Sequence, residues 1–252
     1  MTAAASGSPF TPTQTGPPSI DVAGLGKHFG SAIALDNVGF RLRAGEFLTV
    51  FGPNGAGKTT LVRILAMLAR PSSGSVRILG EEAVHAAAGL RRRIGLVSHR
   101  SLLYASLSAR QNLVFFARMF GVEDPEGRAR EMLVEMGLEH RMDDPVQTYS
   151  RGMEQRCAIA RALLHRPDVL LLDEPFSGLD PAATDRLDEL LALERLRGRT
   201  IVLTSHDLGR GAAHADRVAI LVRGRVLFES ATADLQEPIE TLYRRHAVGR
   251  IQ

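Results

Sequence analysis

Gly52-Pro53-Asn54-Gly55-Ala56-Gly57-Lys58-Thr59-Thr60 is the stretch that decides the reading of this chain. Gly52 to Thr59 fits the pattern G-x-x-x-x-G-K-[ST], and the flanking residues supply the context that the pattern requires. Upstream, Phe47-Leu48-Thr49-Val50-Phe51 is a short apolar run of strand length. Downstream, Leu61, Ile64, Leu65 and Leu68 recur at the spacing of one buried helical face. A strand, a glycine-rich turn and a helix in that order make a cradle for phosphate. Glycines let backbone N–H groups turn inward, and the helix aims its positive end at the same point. Lys58 would neutralise charge on the terminal phosphates, and the Thr59 hydroxyl is a ligand for Mg²⁺. Lysine occurs only at Lys27 and Lys58, with arginine supplying every other base. A lysine inside this loop is therefore a specific choice.

Moving outward, strand-like and helix-like segments alternate from Ile20 onward. Ile94 to Ser98, Val169 to Leu172 and Ile201 to Thr204 read as further strands, and Val218 to Val222 with Arg225 to Phe228 as a hairpin around Arg223-Gly224. Apolar strands without polar alternation imply a mostly parallel sheet covered on both faces. Between Ser101 and His165 the strand signal stops. Ala109 to Phe120, Pro125 to Met136 and Arg151 to His165 carry helical patterns, so an all-helical subdomain is expected to interrupt the sheet.

Two of the strands end in ionisable side chains. Val169-Leu170-Leu171-Leu172 runs into Asp173 and Glu174, at the carboxyl end where α/β sheets place ligands. Asp173 there can hold Mg²⁺, and Glu174 can face a γ-phosphate as the base that orients an attacking water. Ile201-Val202-Leu203-Thr204-Ser205 ends in His206, whose neutral imidazole can contact the same phosphate.

Composition narrows the class. Of 252 residues, 44% are hydrophobic and 23% charged, the balance of a chain with a sizeable core. No stretch approaches the roughly 18 uninterrupted apolar residues of a membrane span, so any membrane work needs another chain. The formal charge of +3 is too small to argue for nucleic acid. Cys157 is the only cysteine, which excludes an internal disulfide and suits a reducing compartment. Residues 1–19, rich in Ala, Ser, Thr, Pro and Gly, read as a disordered tail without the basic start and apolar run of a signal peptide. Residues 231–252 read as an appendage, with Glu237 to Arg245 a short basic, solvated helix.

Tyr149-Ser150-Arg151-Gly152-Met153-Glu154-Gln155-Arg156 resembles the ABC signature, usually L-S-G-G-Q followed by x-Q-R. Ser177-Gly178-Leu179-Asp180 is similar to the family's D-loop, and Thr204-Ser205-His206-Asp207 to its H-switch. With the loop at Gly52 to Thr59 and the strand ending at Asp173-Glu174, these motifs follow the order found in ATP-binding subunits of ABC transporters. The resemblance spans about residues 20–230. It implies a P-loop NTPase core with a small antiparallel β subdomain, and an inserted helical subdomain at about residues 99–160. It also implies ATP and Mg²⁺ as ligands, and a head-to-tail dimer in which Ser150, Arg151, Gly152 and Asp180 approach ATP held by the opposite subunit. A separate transmembrane permease and a peripheral place on the cytoplasmic face of the inner membrane follow in the same way. Phe29 falls where the family stacks an aromatic ring on adenine, a contact of about 1–3 kcal/mol; a core phenylalanine is the competing reading.

Four departures stand out. Val97-Ser98-His99-Arg100 puts His99 where the family has a glutamine that contacts Mg²⁺. Imidazole suits that ion less than an oxygen ligand does, so His99 fits coupling to a partner better than metal binding. Tyr149 stands for Leu and Met153 for Gln. Arg151 stands for the first Gly, bringing a guanidinium that could reach the γ-phosphate or solvent. Ser98 to Tyr104, Leu107 to Leu113 and Ser150 to Gln155 are together similar to the branch linked to haem export and cytochrome c maturation. ABC-2-type drug and lipid exporters share much of this pattern and form the alternative, and a soluble non-transport ATPase is the third reading.

Overall fold

The computed structural model describes residues 17–86 and 88–248. At its centre lies β3 (Phe47–Phe51), buried along its whole length. The strand pairs in parallel with β8 (Thr200–Ser205) on one side and β9 (Arg217–Val222) on the other. Beyond β8 come β7 (Val169–Asp173) and β6 (Ile94–Val97), again parallel. β10 (Arg225–Ala231) closes the other edge antiparallel to β9, giving the order β10-β9-β3-β8-β7-β6. The hairpin between β9 and β10 turns on Arg223 and Gly224 at φ 48° and 78°, the left-handed pair that a tight two-residue turn demands.

Period-two geometry divides these apolar strands between two cores. Phe47, Phe51, Leu170, Leu172, Ile201 and Leu203 point to one face and join the helices there. Their neighbours Leu48, Val50, Val169, Leu171 and Val202 point to the other. That second face is covered by α1 (Lys58–Leu65) and by a smaller antiparallel sheet in the order β2-β1-β4-β5. The small sheet contains β1 (Ile20–Phe29), β2 (Ala32–Leu42), β4 (Ser73–Ile78) and the two-residue β5 (Glu81–Glu82). A short α2 (Ala88–Arg91) leads into β6.

Between β6 and β7, no strand occurs among the described residues. That interval holds α3 (Ala109–Phe120), α4 (Pro125–Glu135) and α5 (Arg151–Leu163). The α3 start is fixed by a capping box in which Ser108 and Gln111 exchange hydrogen bonds. The chain closes with α6 (Pro181–Leu196), α7 (Leu208–Ala213) and α8 (Ile239–Tyr243), followed by a π-helical turn at Arg244–Val248. None of the described helices is long and apolar enough to cross a membrane.

Three expectations need correction. Leu68 does not share the buried face of α1: the helix stops at Leu65, Met67 turns left-handed at φ 56°, and Leu68 is 57% exposed. Up to residue 248 the C-terminal stretch is no solvated appendage, because Ile239, Leu242 and Ala247 are buried in the same core as the sheet's helical face; residues 249–252 of the expected appendage lie outside the described residues. His246 also lies against Phe228, with ring centroids 5.4 Å apart. At the other end, residues 1–16 of the expected disordered tail lie outside the described residues. Ser19, however, is buried, accepts a hydrogen bond from the Thr200 hydroxyl and offers its carbonyl to Leu79 N–H.

Candidate functional site

The glycine-rich loop leaves β3 at Phe51 and enters α1 at Lys58, so the start of the helix faces the carboxyl end of the sheet. Two glycines in it are sterically obligatory. A Cβ on Gly52 would lie 2.3 Å from the Leu221 carbonyl oxygen. Gly57 holds φ 107°, and a Cβ there would lie 2.4 Å from the Ala34 carbonyl oxygen. The first turn of α1 contains no acidic side chain and Gly57 offers no side-chain cap, which leaves the helix's positive end free to meet an anion.

A cleft of about 450 Å³ opens over this loop. Residues Pro53 to Thr60 line it together with His99, Asp173, Glu174 and His206. The convergence follows from sheet order: β3, β8 and β7 are adjacent and parallel, so the loop, His206 and the two acids all emerge at one end. Lys58 Nζ donates to the carbonyls of Gly52 at 2.6 Å and Pro53 at 3.3 Å, and lies 3.1 Å from Glu174 Oε1. The other carboxylate oxygen, Oε2, sits 2.7 Å from His206 Nδ1 and accepts His206 N–H at 3.2 Å. Glu174 is therefore bracketed by a cation and an imidazole. Its backbone takes φ 52°, a left-handed conformation unusual for a side chain of this size and characteristic of functional positions.

Asp173 is 2% exposed, and its Oδ1 accepts the Thr204 hydroxyl at 2.8 Å. The same hydroxyl oxygen accepts Glu174 N–H at 3.1 Å, so Thr204 orients both acids. Sequence reading gave Thr204 no role in the site. The signal was one of three hydroxyls in β8, and only strand order could connect it to Asp173.

The remaining sequence-predicted residues lie outside this cleft. Phe29 ends β1 and is 57% exposed, with Lys27 Nζ 4.9 Å from its ring centroid. Ser150 caps α5 and accepts Met153 N–H at 3.3 Å. Gly152 is buried, and a Cβ on it would lie 3.5 Å from Asp180 Oδ2. Asp180 itself caps α6 and accepts Ala183 N–H at 2.8 Å. Gln155 Nε2 donates to the Pro175 carbonyl at 3.1 Å and ties α5 to the loop after Glu174. The Arg151 guanidinium lies over Gly178, where an added Cβ would sit 2.4 Å from Cζ, while the residue as a whole stays exposed. Arg151 and His99 also border a second, smaller cleft shared with Asp173 and Glu174.

Cys157 plays no part in this chemistry. Its thiol is fully buried, and burial pushes its pKa up to about 12, far from a reactive thiolate. Oxygen donors for a hard cation are present, because the Thr59 hydroxyl and Asp173 border the same cleft.

Comparison with known proteins places this geometry in context. The family model described as ABC transporter matches residues 35–177. A Nod factor export ATP-binding protein I from Burkholderia thailandensis is 37% identical over 220 residues, covering 86% of this chain and 72% of the relative. The doxorubicin resistance ATP-binding protein DrrA of Mycobacterium tuberculosis is 38% identical over 222 residues, covering 86% of this chain and 67% of that protein. Among solved structures, a dimeric ATP-binding cassette in a post-hydrolysis state with ADP and Pi superposes with a TM-score of 0.78 at 28% identity, covering 84% of this chain and 98% of the other. An ATP-binding subunit of an ABC transporter reaches a TM-score of 0.83 at 28% identity, covering 90% and 98%.

Proposed function

Because the chain belongs to the ABC transporter ATP-binding family and is an ATPase of that kind, we propose that it drives a separate membrane-spanning exporter by closing and opening a dimer over ATP. The observation that carries this reading is the meeting of Lys58, Glu174 and His206 at the ends of three neighbouring parallel strands.

In this mechanism the loop from Gly52 to Thr60 wraps the phosphates with backbone N–H groups, and Lys58 exchanges Glu174 for phosphate oxygens. Phe29 stacks on the base, as its exposure allows. Thr59 and Asp173 would hold Mg²⁺, which supplies charge neutralisation at the terminal phosphates when bound. Glu174, freed from Lys58, orients the water that attacks the γ-phosphorus, and His206 holds the carboxylate and the γ-phosphate in register. Ser150 and Gly152 present the positive end of α5 to ATP on the opposite subunit, and Asp180 lies beside them at the seam. Closure excludes water and strengthens each of these contacts. Once the bond to the γ-phosphate breaks, the clamp loses its strongest anion and opens. Chemistry is thereby converted into a shift between two populations.

His99 rims the cleft and begins the segment leading into the helical region, which suits a coupling role towards the permease. In that arrangement the chain is peripheral to the inner membrane, on its cytoplasmic face. For cargo, the relatives named above concern Nod factor export and drug resistance. They favour the drug and lipid exporter alternative over the haem and cytochrome c branch. The test is ATP hydrolysis by the purified chain alone and in vesicles with the membrane protein encoded beside it. Turnover stimulated by that partner is expected, and hydrolysis indifferent to any membrane protein would overturn the transport reading.

A further inference from the structure

Asn112 is the polar residue among the buried side chains of α3, with 0% exposure beside Ala109, Leu113, Val114, Phe116 and Ala117. A buried amide persists only when its hydrogen bonds are made. All of those bonds go to one short segment of chain. Asn112 Oδ1 accepts Tyr104 N–H at 2.7 Å. Nδ2 faces the carbonyls of Tyr104 at 3.0 Å, Ser108 at 3.0 Å and Leu107 at 3.3 Å, so its N–H groups are fully engaged. The side chain thus pins Tyr104 through both its backbone groups, as a neighbouring strand would.

The pinned segment touches two functional loops. On its upstream side it continues from His99 at the rim of the cleft, through Leu102, which holds φ 57°. On its other side it is bonded to the lead-in of α5: Gln147 N–H donates to the Ala105 carbonyl at 2.9 Å, and Val146 N–H to the Leu107 carbonyl at 3.0 Å. Ser108 forms a bridge with Pro145. Ser150 follows directly after this lead-in. The Tyr104 ring is seated against Phe115 and Phe116, with centroids 5.4 and 6.2 Å away, so the segment is held from its side-chain face as well.

We propose that Asn112 is a positioning residue that makes Tyr104 to Ser108 a single rigid junction between the His99 loop and the Ser150 helix. The proposal rests on the sandwich reading above, in which His99 faces the chain's own ATP and Ser150 faces the ATP of the other subunit. The junction then transmits occupancy of one site to the other. Asn112 touches neither nucleotide, so its contribution lies in closure and cooperativity rather than in binding.

Asn112→Leu and Asn112→Ala in the full chain test this, with MgATP as the probe. The expected result is an unchanged Kd for nucleotide on the isolated chain, a kcat at least about tenfold lower, and a Hill coefficient reduced to one. Folded variants with wild-type kcat and cooperativity would overturn the proposal. A wild-type chain that neither binds nor hydrolyses MgATP would instead strike the nucleotide reading itself. Hydrogen exchange on the wild type covers the case in which the variants do not fold. The amides of Tyr104, Val146 and Gln147 are expected to exchange at a common rate and to change together when a non-hydrolysable ATP analogue is added. Independent rates, or a response in only one of them, would overturn the junction.

Discussion

Glu174 Oε1 lies 3.1 Å from the Lys58 ammonium, so the acid after β7 and the lysine of the glycine-rich loop neutralise one another across the cleft. Both side chains are largely shielded, Glu174 at 17% and Lys58 at 7% exposure, which strengthens their attraction relative to a surface pair. A triphosphate carries more negative charge than one carboxylate and wins Lys58 from it. Glu174 is then left to its second partner, His206, and to water. In the proposed mechanism, binding substrate and releasing the base are thereby one event.

Glu174→Gln separates the two halves of that event. The amide keeps the shape but offers Lys58 no negative charge, so ATP meets a weaker competitor and its Kd is expected to fall. The base is lost, and kcat is expected to drop by about 10²–10⁴-fold. Phosphate release and nucleotide titration on the same preparation measure both. Wild-type turnover in this variant would remove Glu174 from the role of base.

Ser150→Arg tests whether the site is shared. Ser150 sits outside the cleft of its own chain, and in the proposed dimer it acts on the ATP of the opposite subunit. Alone, the variant is expected to lose activity even though Lys58 is intact. Mixed with Lys58→Ala chains, it should regain one working site per dimer, made from the good loop of one subunit and the good Ser150 of the other. Activity that simply follows the number of intact chains would contradict a shared site.

Phe29 offers a direct measure of base stacking. It is more than half exposed, which is the wrong place for a core phenylalanine and the right one for a ring that meets a ligand. Phe29→Ala is expected to weaken ATP binding by about 1–3 kcal/mol while leaving kcat at saturation unchanged. Phe29→Trp should keep the affinity. Since the chain has no tryptophan, the new indole would also report binding by its fluorescence. An unchanged Kd for Phe29→Ala would place the adenine elsewhere.

How much of this was readable beforehand depended on whether a signal was local. The glycine-rich loop, the Asp173-Glu174 pair and His206 each come at the end of a largely apolar strand, so adjacent residues announce them. Thr204 and Asn112 are polar residues whose meaning depends on what lies beside them in space, and no spacing along the chain encodes that. The C-terminal helix failed for a related reason. Its buried residues Ile239, Leu242 and Ala247 are sparse among charged neighbours, and their partners on the sheet are set by tertiary packing. Leu68 misled in the opposite direction, because helical spacing continues past Leu65 although the left-handed turn at Met67 has already ended the helix.

His165 makes stability depend on pH in a direction that can be fixed in advance. Its Nε2 lies 3.1 Å from the Ile94 carbonyl, and its ring stacks on Phe120 with centroids 4.0 Å apart. Burial lowers its pKa from 6.5 to about 4, and the nearby guanidinium groups of Arg161, Arg199 and Arg128 push the same way. Between these two values the unfolded chain takes up a proton that the folded chain refuses. The stabilisation is therefore complete above pH 6.5 and is lost as pH falls towards 4, by up to about 3 kcal/mol. His165→Gln can still donate to the Ile94 carbonyl but does not titrate. Urea unfolding at pH 7.5 and pH 4.5 should show the wild type losing more stability on acidification than the variant. Equal losses in the two proteins would mean that the imidazole takes its proton as readily in the folded chain as in the unfolded one.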